Sequence, residues 1–234
     1  MAVRISLVGA LIEKERAIDR LSSMLDPEER REAERDPHAR RRPRPCGLTI
    51  HTGTGCSYGC VYCYVPDMGF PMRPRPYPLA AEQLAYAVAI NPYVAVGRHG
   101  TLLALGSVTE PLLPETRDRA LAYIEALRGF LGNPAQLSTK AYIDAELAGE
   151  LAGRDPSISI LVSLSTLRMA SRLEPGAPSP RERLEGIGNA SRRGLHVSLF
   201  LRPIIPGVTE ADAPAIMHGA RVRGARGVVM GSLR

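Results

Sequence analysis

Three cysteines stand within eight residues, in Gly55-Cys56-Ser57-Tyr58-Gly59-Cys60-Val61-Tyr62-Cys63-Tyr64. In a chain of this type such a C-x3-C-x2-C run reads as metal ligation or redox chemistry rather than a disulfide framework. A cubic four-iron cluster takes four cysteines for full ligation. Three thiolates leave one iron open to an exogenous group, just as catalytic metal sites keep a position that structural sites close. Gly53, Gly55 and Gly59 give the backbone freedom to wrap a compact cluster. A competing arrangement is a structural zinc site with Cys46 as fourth ligand, spaced C-x9-C-x3-C-x2-C. Cys46 precedes the first candidate strand, which directs it to the opposite end of a parallel sheet, so it reads as a small core or linker residue. An electron carrier needs a fully ligated cluster, and no fourth cysteine is placed for one.

The elements that must position these thiols alternate strictly. Candidate strands are Leu48–Thr52, Thr101–Gly106, Ala135–Thr139, Ser157–Ser165, His196–Leu201 and Gly227–Gly231. Between them lie candidate helices Leu79–Ile90, Arg117–Phe130, Ile143–Ala152, Pro180–Arg193 and Ala211–Arg223. The fourth helix has a clear start: Ser179 as cap, Pro180 at the first helical position and Glu182 to close a capping box. Alternation implies parallel strands with right-handed crossovers. Six strands in roughly 180 residues fit an α/β fold of the partial (β/α)6 TIM-type barrel rather than a full eight-fold one. The loops after the strands form the catalytic face of such a barrel, and the cysteine run is the first of them. No helix follows the sixth strand within the sequence. Its outer face would be covered by further chain, by the N-terminal helix or by a second subunit.

Residues 1–45 form an N-terminal extension to the barrel core of residues 46–234. Ile5–Leu25 has helical periodicity, and Asp26-Pro27-Glu28-Glu29 caps a second, highly charged helix through Arg35. Arg40-Arg41-Arg42-Pro43-Arg44-Pro45 follows as an extended basic linker. Hydrophobic residues make up 44% and charged residues 23% of the 234, a globular rather than a disordered balance. The apolar run Ile5–Ile12 is broken by Ser6, precedes Glu13-Lys14-Glu15-Arg16 and lacks a small-residue cleavage site. It predicts neither a membrane span nor a signal peptide, and so a cytoplasmic protein. The net charge is +6, and every basic residue except Lys14 and Lys140 is arginine. Arg40–Arg44 and Arg73-Pro74-Arg75-Pro76 suit a phosphate backbone, although a solvated linker is the plainer reading of the first run.

The cysteine spacing after the first strand, with aromatic residues flanking the third cysteine, resembles the radical S-adenosylmethionine (SAM) superfamily. Within it the chain is most similar to the spore photoproduct lyase-like branch, over residues 46–234. Further segments carry the resemblance: Gly106-Ser107-Val108-Thr109-Glu110-Pro111, Leu137-Ser138-Thr139-Lys140, Val162–Thr166, Leu173-Glu174-Pro175-Gly176 and Arg202-Pro203-Ile204-Ile205-Pro206-Gly207. The resemblance implies a [4Fe-4S] cluster on Cys56, Cys60 and Cys63, with SAM on the open iron through its amino and carboxylate groups. One electron from the reduced cluster then yields methionine and a 5′-deoxyadenosyl radical that abstracts hydrogen from a substrate. An electron donor of ferredoxin or flavodoxin type follows from the same chemistry.

A zwitterionic sulfonium needs acceptors for its ammonium and a cation for its carboxylate. Thr109-Glu110 falls where the superfamily binds the ammonium, and a Glu buried there needs such a partner; a helix-start Glu before Pro111 is the plainer alternative. Lys140 ends the third strand on the catalytic face and suits the carboxylate, or is simply solvated. Ser163 and Ser165 share one face of the fourth strand by the two-residue period. If that face is the interior, they need a polar partner such as a ribose or carboxylate, and Ser165 lies nearer the catalytic end. Arg202 and the stiff segment after it suit a wall for adenine or a rigid loop. By resemblance the backbone near Tyr62 contacts the adenine; Tyr62 and Tyr64 equally shield the cluster. One departure matters. Spore photoproduct lyase carries a hydrogen-donating cysteine just before the position of Thr109, where this chain has Val108, so the substrate does not carry over. Nucleic acid is favoured by the basic balance, a small molecule or peptide is the rival, and the oligomeric state stays open.

Overall fold

The computed structural model describes residues 7–232. α1 (Leu7–Met24) turns Ala17 and Leu21 inward. Its Lys14 ammonium donates to the Asn91 and Val94 carbonyls (2.5 and 2.8 Å), tying α1 to the end of a later helix. α2 (Pro27–Arg35) starts on a capping box in which Asp26 accepts from the Glu28 and Glu29 amides while Glu29 accepts from the Asp26 N–H. Only Ala33 of α2 is buried, so this helix rests on its cap and a narrow contact.

The barrel begins at β1 (Leu48–Ile50), two residues shorter than the sequence pattern suggests. A small antiparallel ribbon, β2 (Gly53–Thr54) with β3 (Arg75–Pro76), brackets the cysteine loop. There follow α3 (Ala81–Ile90), β4 (Leu103–Leu105), α4 (Arg117–Ala126) and β5 (Ala135–Thr139). α4 continues as a wider π turn over Leu127–Leu131. Next come α5 (Ala145–Arg154), β6 (Ser159–Ser163), the single turn α6 (Ala170–Leu173) and α7 (Pro180–Arg192). β7 (His196–Ile204), α8 (Thr209–Val222) and β8 (Gly227–Ser232) complete the described chain. The α7 start is as read: Ser179 accepts from the Glu182 amide, and Glu182 accepts from the Ser179 N–H at 2.7 Å.

β1, β4, β5, β6, β7 and β8 pair side by side, all parallel, in a six-stranded sheet. Register decides what each face does. Leu48, Leu103, Leu105, Leu137, Ile160, Val162, Val197 and Leu199 share the outer face and are sealed beneath the helices. The inner face is unlike a packed barrel, whose interior is dominated by Val, Ile and Leu. One row across it reads Thr49, Ala104, Gln136 and Ser159; the next reads Ser138, Leu161 and Ser198. Ser163 faces Phe200 in the row nearest the catalytic end. The apolar core therefore lies between sheet and helices, and the concave side is polar.

Two expectations are revised. Arg40–Arg44 is not a free linker. Arg40 donates to the Glu34 and Arg35 carbonyls, Arg41 to His51, and Arg42 lies over the Tyr93 ring. Nor does the N-terminal helix cover β8, since α1 lies against α3. Val228 and Met230 of β8 stay exposed. Among the described residues no helix is long and apolar enough to cross a membrane.

Candidate functional site

The cysteine loop leaves β2 through Gly55, whose φ of 81° lies in the left-handed region. A Cβ there would stand 2.3 Å from the Pro71 carbonyl oxygen, so only glycine fits. Gly55 also bridges Thr109 in parallel fashion, which ties the loop to the segment after β4. The Cys63 amide donates to the Cys60 carbonyl (3.0 Å), closing a tight turn. All three thiols are free and half-buried. Burial pushes the Cys56 thiol up, against the backbone N–H groups of Tyr58 and Glu110 that point at its sulfur. Burial likewise lifts Cys60 to about 11, with Lys140 pulling it down and the neighbouring Glu174, Cys56 and Cys63 pushing it up. For Cys56 and Cys60, burial disfavours the thiolate, and a positive metal centre would favour it.

Cys46 is exposed and sits before β1, at the other end of that strand. Among the described residues no three His, Cys, Asp or Glu side chains gather around a single-ion site. Cys46 is thus not placed to complete a zinc tetrahedron with the other three thiols, whereas a cluster takes three thiolates on separate irons.

The strand ends bring most of the expected residues to the thiols. Thr109 is buried, and Glu110 is buried with its carboxylate already held on three sides. Oε1 accepts from Thr139 Oγ1 (2.5 Å) and the Leu112 amide (3.2 Å), and Oε2 accepts from the Lys140 amide (2.7 Å). Burial pushes its proton affinity up, opposed by those hydrogen bonds. Three of the roughly four acceptor sites of such a carboxylate are taken, so one on Oε2 is left for an incoming cation. Lys140 places its ammonium 5.6 Å from the centre of the Tyr62 ring, a cation–π contact. Ser165 is fully buried just past the end of β6; its hydroxyl makes no hydrogen bond of normal geometry but lies close enough to the Tyr62 hydroxyl to lower that group's pKa. Arg202 lies apart, along β8: its guanidinium is 5.9 Å from the Phe200 ring, and a Cβ on Gly231 would meet its side chain at 2.9 Å. Its carbonyl accepts from Ser163 Oγ (3.3 Å).

From sequence, Glu174 is named only within Leu173–Gly176, without a role of its own, and Arg183 is not singled out. The Tyr62 hydroxyl donates to Glu174, whose other oxygen lies 2.6 Å from Arg183 Nη2. Both charged side chains are completely buried. A signal for Arg183 exists: it falls on the stripe Arg183, Gly186, Ile187, Ala190 of α7, where a core position carries a charge.

The residues present therefore fit a thiolate-held cluster with a zwitterionic ligand beside it. The sequence profile of the radical SAM superfamily matches residues 50–219. The "Radical SAM Nalpha-GlyT isomerase" of Pseudomonas phage M6 is 30% identical over 184 residues, 73% of this chain and 36% of the phage protein. Protein ORF301 of Acidianus two-tailed virus is 26% identical over 68% of this chain and 56% of its own length. The chain thus spans only a third to just over half of these curated relatives. Among solved structures, a spore photoproduct lyase variant with bound AdoMet and dinucleoside spore photoproduct superposes with a TM-score of 0.69 and 17% identity. That match covers 87% of this chain and 64% of the lyase, and it shows a common fold. By profile, by relatives and by the thiol trio at the first strand end, the chain belongs to the radical SAM superfamily.

Proposed function

We propose that this chain forms the SAM-cleaving centre of a radical enzyme that acts on nucleic acid. The observation that carries the first part is the trio of half-buried thiols facing Lys140 and the pinned Glu110 carboxylate. Cys56, Cys60 and Cys63 hold the cluster, and no fourth cysteine closes it. A reduced [4Fe-4S] cluster in this loop supplies the electron that splits SAM into methionine and a hydrogen-abstracting 5′-deoxyadenosyl radical. The chain supplies placement. Lys140 receives the carboxylate, and Glu110 with Thr109 receives the ammonium. Ser165 offers its hydroxyl to the ribose, while the backbone at Tyr62 bounds the adenine. Removing water from this polar pocket strengthens each of those contacts.

The nucleic-acid reading rests on a net charge of +6 and on Arg73 and Arg75, exposed beside the cysteine loop. The lyase that shares the fold holds a dinucleoside, which supports the same reading. Val108 stands where that enzyme's branch has a hydrogen-donating thiol, so return of hydrogen from a side chain at that position is not part of the proposal. A reductant of ferredoxin or flavodoxin type completes the system.

The test is anaerobic iron–sulfur reconstitution, reduction with dithionite and measurement of 5′-deoxyadenosine. Wild-type protein is expected to form it, Cys63→Ala to form none and Cys46→Ala to match wild type. A protein that takes up iron yet never cleaves SAM would overturn the reading. DNA and RNA binding measured across salt tests the substrate class: the affinity is expected to fall steeply as salt rises. Absence of binding at low salt would point instead to a small molecule or peptide.

A further inference from the structure

The cysteine loop is not held by its own strand alone. Leu173, the last residue of α6, and the Glu174, Pro175 and Gly176 that follow it lie along the back of the loop. The Val61 amide donates to the Leu173 carbonyl (3.0 Å), and the Gly176 amide donates to the Tyr58 carbonyl (2.9 Å). The approach is so close that a Cβ on Gly176 would stand 2.9 Å from the Tyr58 carbonyl oxygen. A third link is made by side chains, from the Tyr62 hydroxyl to Glu174. This four-residue strap thus touches the loop at Tyr58, Val61 and Tyr62, on both sides of Cys60.

What holds the strap is the charged pair behind it. Glu174 meets Arg183 of α7 at 2.6 Å, both side chains without solvent exposure. Arg183 Nη1 donates onward to the Ser163 carbonyl (3.0 Å) at the end of β6. A plain core would place a leucine at this point of the α7 stripe; hydrophobic replacement of a buried pair is often neutral or stabilising. The pair is therefore poor at raising stability. It is good at geometry, because it locks one orientation of Glu174 and with it the Tyr62 ring on which the Lys140 ammonium rests.

We propose that Glu174 and Arg183 are positioning residues for the cofactor site. They fix the strap, the strap fixes the cysteine loop, and Tyr62 transmits the same constraint to Lys140. The inference rests on this loop being the cluster loop, but its first test needs no cluster. In the metal-free full chain, hydrogen exchange of the amides of residues 58–62 is compared among wild type, Tyr62→Phe and the double variant Glu174→Gln/Arg183→Met. The double variant removes both charges, so neither is left buried alone. Exchange across 58–62 is expected to quicken about tenfold or more in it, with the β5–β7 amides unchanged. Tyr62→Phe, which leaves the charged pair intact, is expected to give a smaller change in the same segment.

The second readout uses reconstituted protein. The KM for SAM is expected to rise about tenfold in the double variant, with iron content as in wild type and a changed EPR signal on adding SAM to the reduced cluster. Wild-type exchange at 58–62 together with a wild-type KM in the double variant would overturn the proposal and make the pair ordinary core. If the double variant fails to fold, Tyr62→Phe decides: unchanged exchange and unchanged EPR overturn it, a local change supports it. Should wild-type protein bind no iron, the cluster reading fails by itself, and exchange in the metal-free chain still decides what the strap does.

Discussion

At Lys140 the backbone and the side chain do different work. Its N–H holds Glu110 Oε2 at 2.7 Å, while its ammonium stands over Tyr62 beside Cys60. Lys140→Ala keeps the first and removes the second. SAM affinity is expected to fall about tenfold, the scale of one charge-assisted contact, with iron content unchanged; equilibrium binding of SAM to the reconstituted variant measures it, and unchanged affinity would remove Lys140 from the site. Ser165 separates stability from function. Its buried hydroxyl makes no hydrogen bond of normal geometry and lies beside Tyr62, so Ser165→Ala is expected to change the stability of the metal-free fold by less than about 1 kcal/mol. The same change is expected to weaken SAM binding, and a melt paired with a binding titration checks both. The cysteines, Lys140, Glu110 and Ser165 were legible because chemistry-bearing types fell at strand ends. The role of Glu174, named only as part of the Leu173–Gly176 segment, and its pairing with Arg183 were not, because a sequence does not distinguish a buried ion pair from two solvated charges.

Among the elements, α8 reaches across to hold the loop that follows β6. Asp212 accepts from Thr166 Oγ1 (2.6 Å), the Leu167 and Arg168 amides, and Arg168 Nε (2.7 Å). Burial works to raise this carboxyl, but those four donors outweigh it and hold it well below the usual range. Asp212→Ala leaves several donors unmatched and is expected to destabilise the fold by about 1–3 kcal/mol, measured by urea unfolding, with the loss centred on residues 166–169 by hydrogen exchange. The charged pair of α7 gives a contrast within one pair of variants. Arg183→Leu strands a buried Glu174 and is expected to cost about 3–5 kcal/mol, whereas removing both charges together is expected to come near neutral. The elements themselves were readable from alternation, and Ser179-Pro180 marked the start of α7. Boundaries moved where tertiary contacts intervened: β1 stops at Ile50, after which the His51 ring stacks on Tyr77 and the Thr52 carbonyl accepts from the Tyr77 amide, and α4 widens into a π turn before Gly132.

For the molecule as a whole, the N-terminal extension and the barrel meet in one buried polar knot. Tyr77 donates to Asp36 Oδ2 (2.7 Å), and His38 Nδ1 lies 2.6 Å from Asp36 Oδ1. The His51 amide donates to His38 Nε2 (3.1 Å), and Arg41 donates to His51 Nε2 (2.5 Å). Burial, then the charges of His38 and Arg41, lower the His51 pKa to about 3 from an ordinary value of 6.5. The unfolded chain therefore binds a proton that the folded chain refuses between those values. Stability rises with pH through that window and is lost on acidification, by up to about 1.4 kcal/mol per pH unit. His51→Gln is expected to flatten the profile between pH 6.5 and 4 in urea melts, and an unchanged slope would assign the acid sensitivity elsewhere. This knot was invisible to a reading of Arg40–Arg44 as solvated linker, since its partners come from three separated stretches of chain. The polar concave face was foreseen only at β6; pairing of strands extends it across the sheet. One consequence concerns how a guest arrives. In the described sheet β1 and β8 are opposite margins and do not pair, so the described strands form an open arc rather than a closed ring. If the substrate is nucleic acid as proposed, an arc open on one side admits a single residue of a long strand sideways, without threading it end-first.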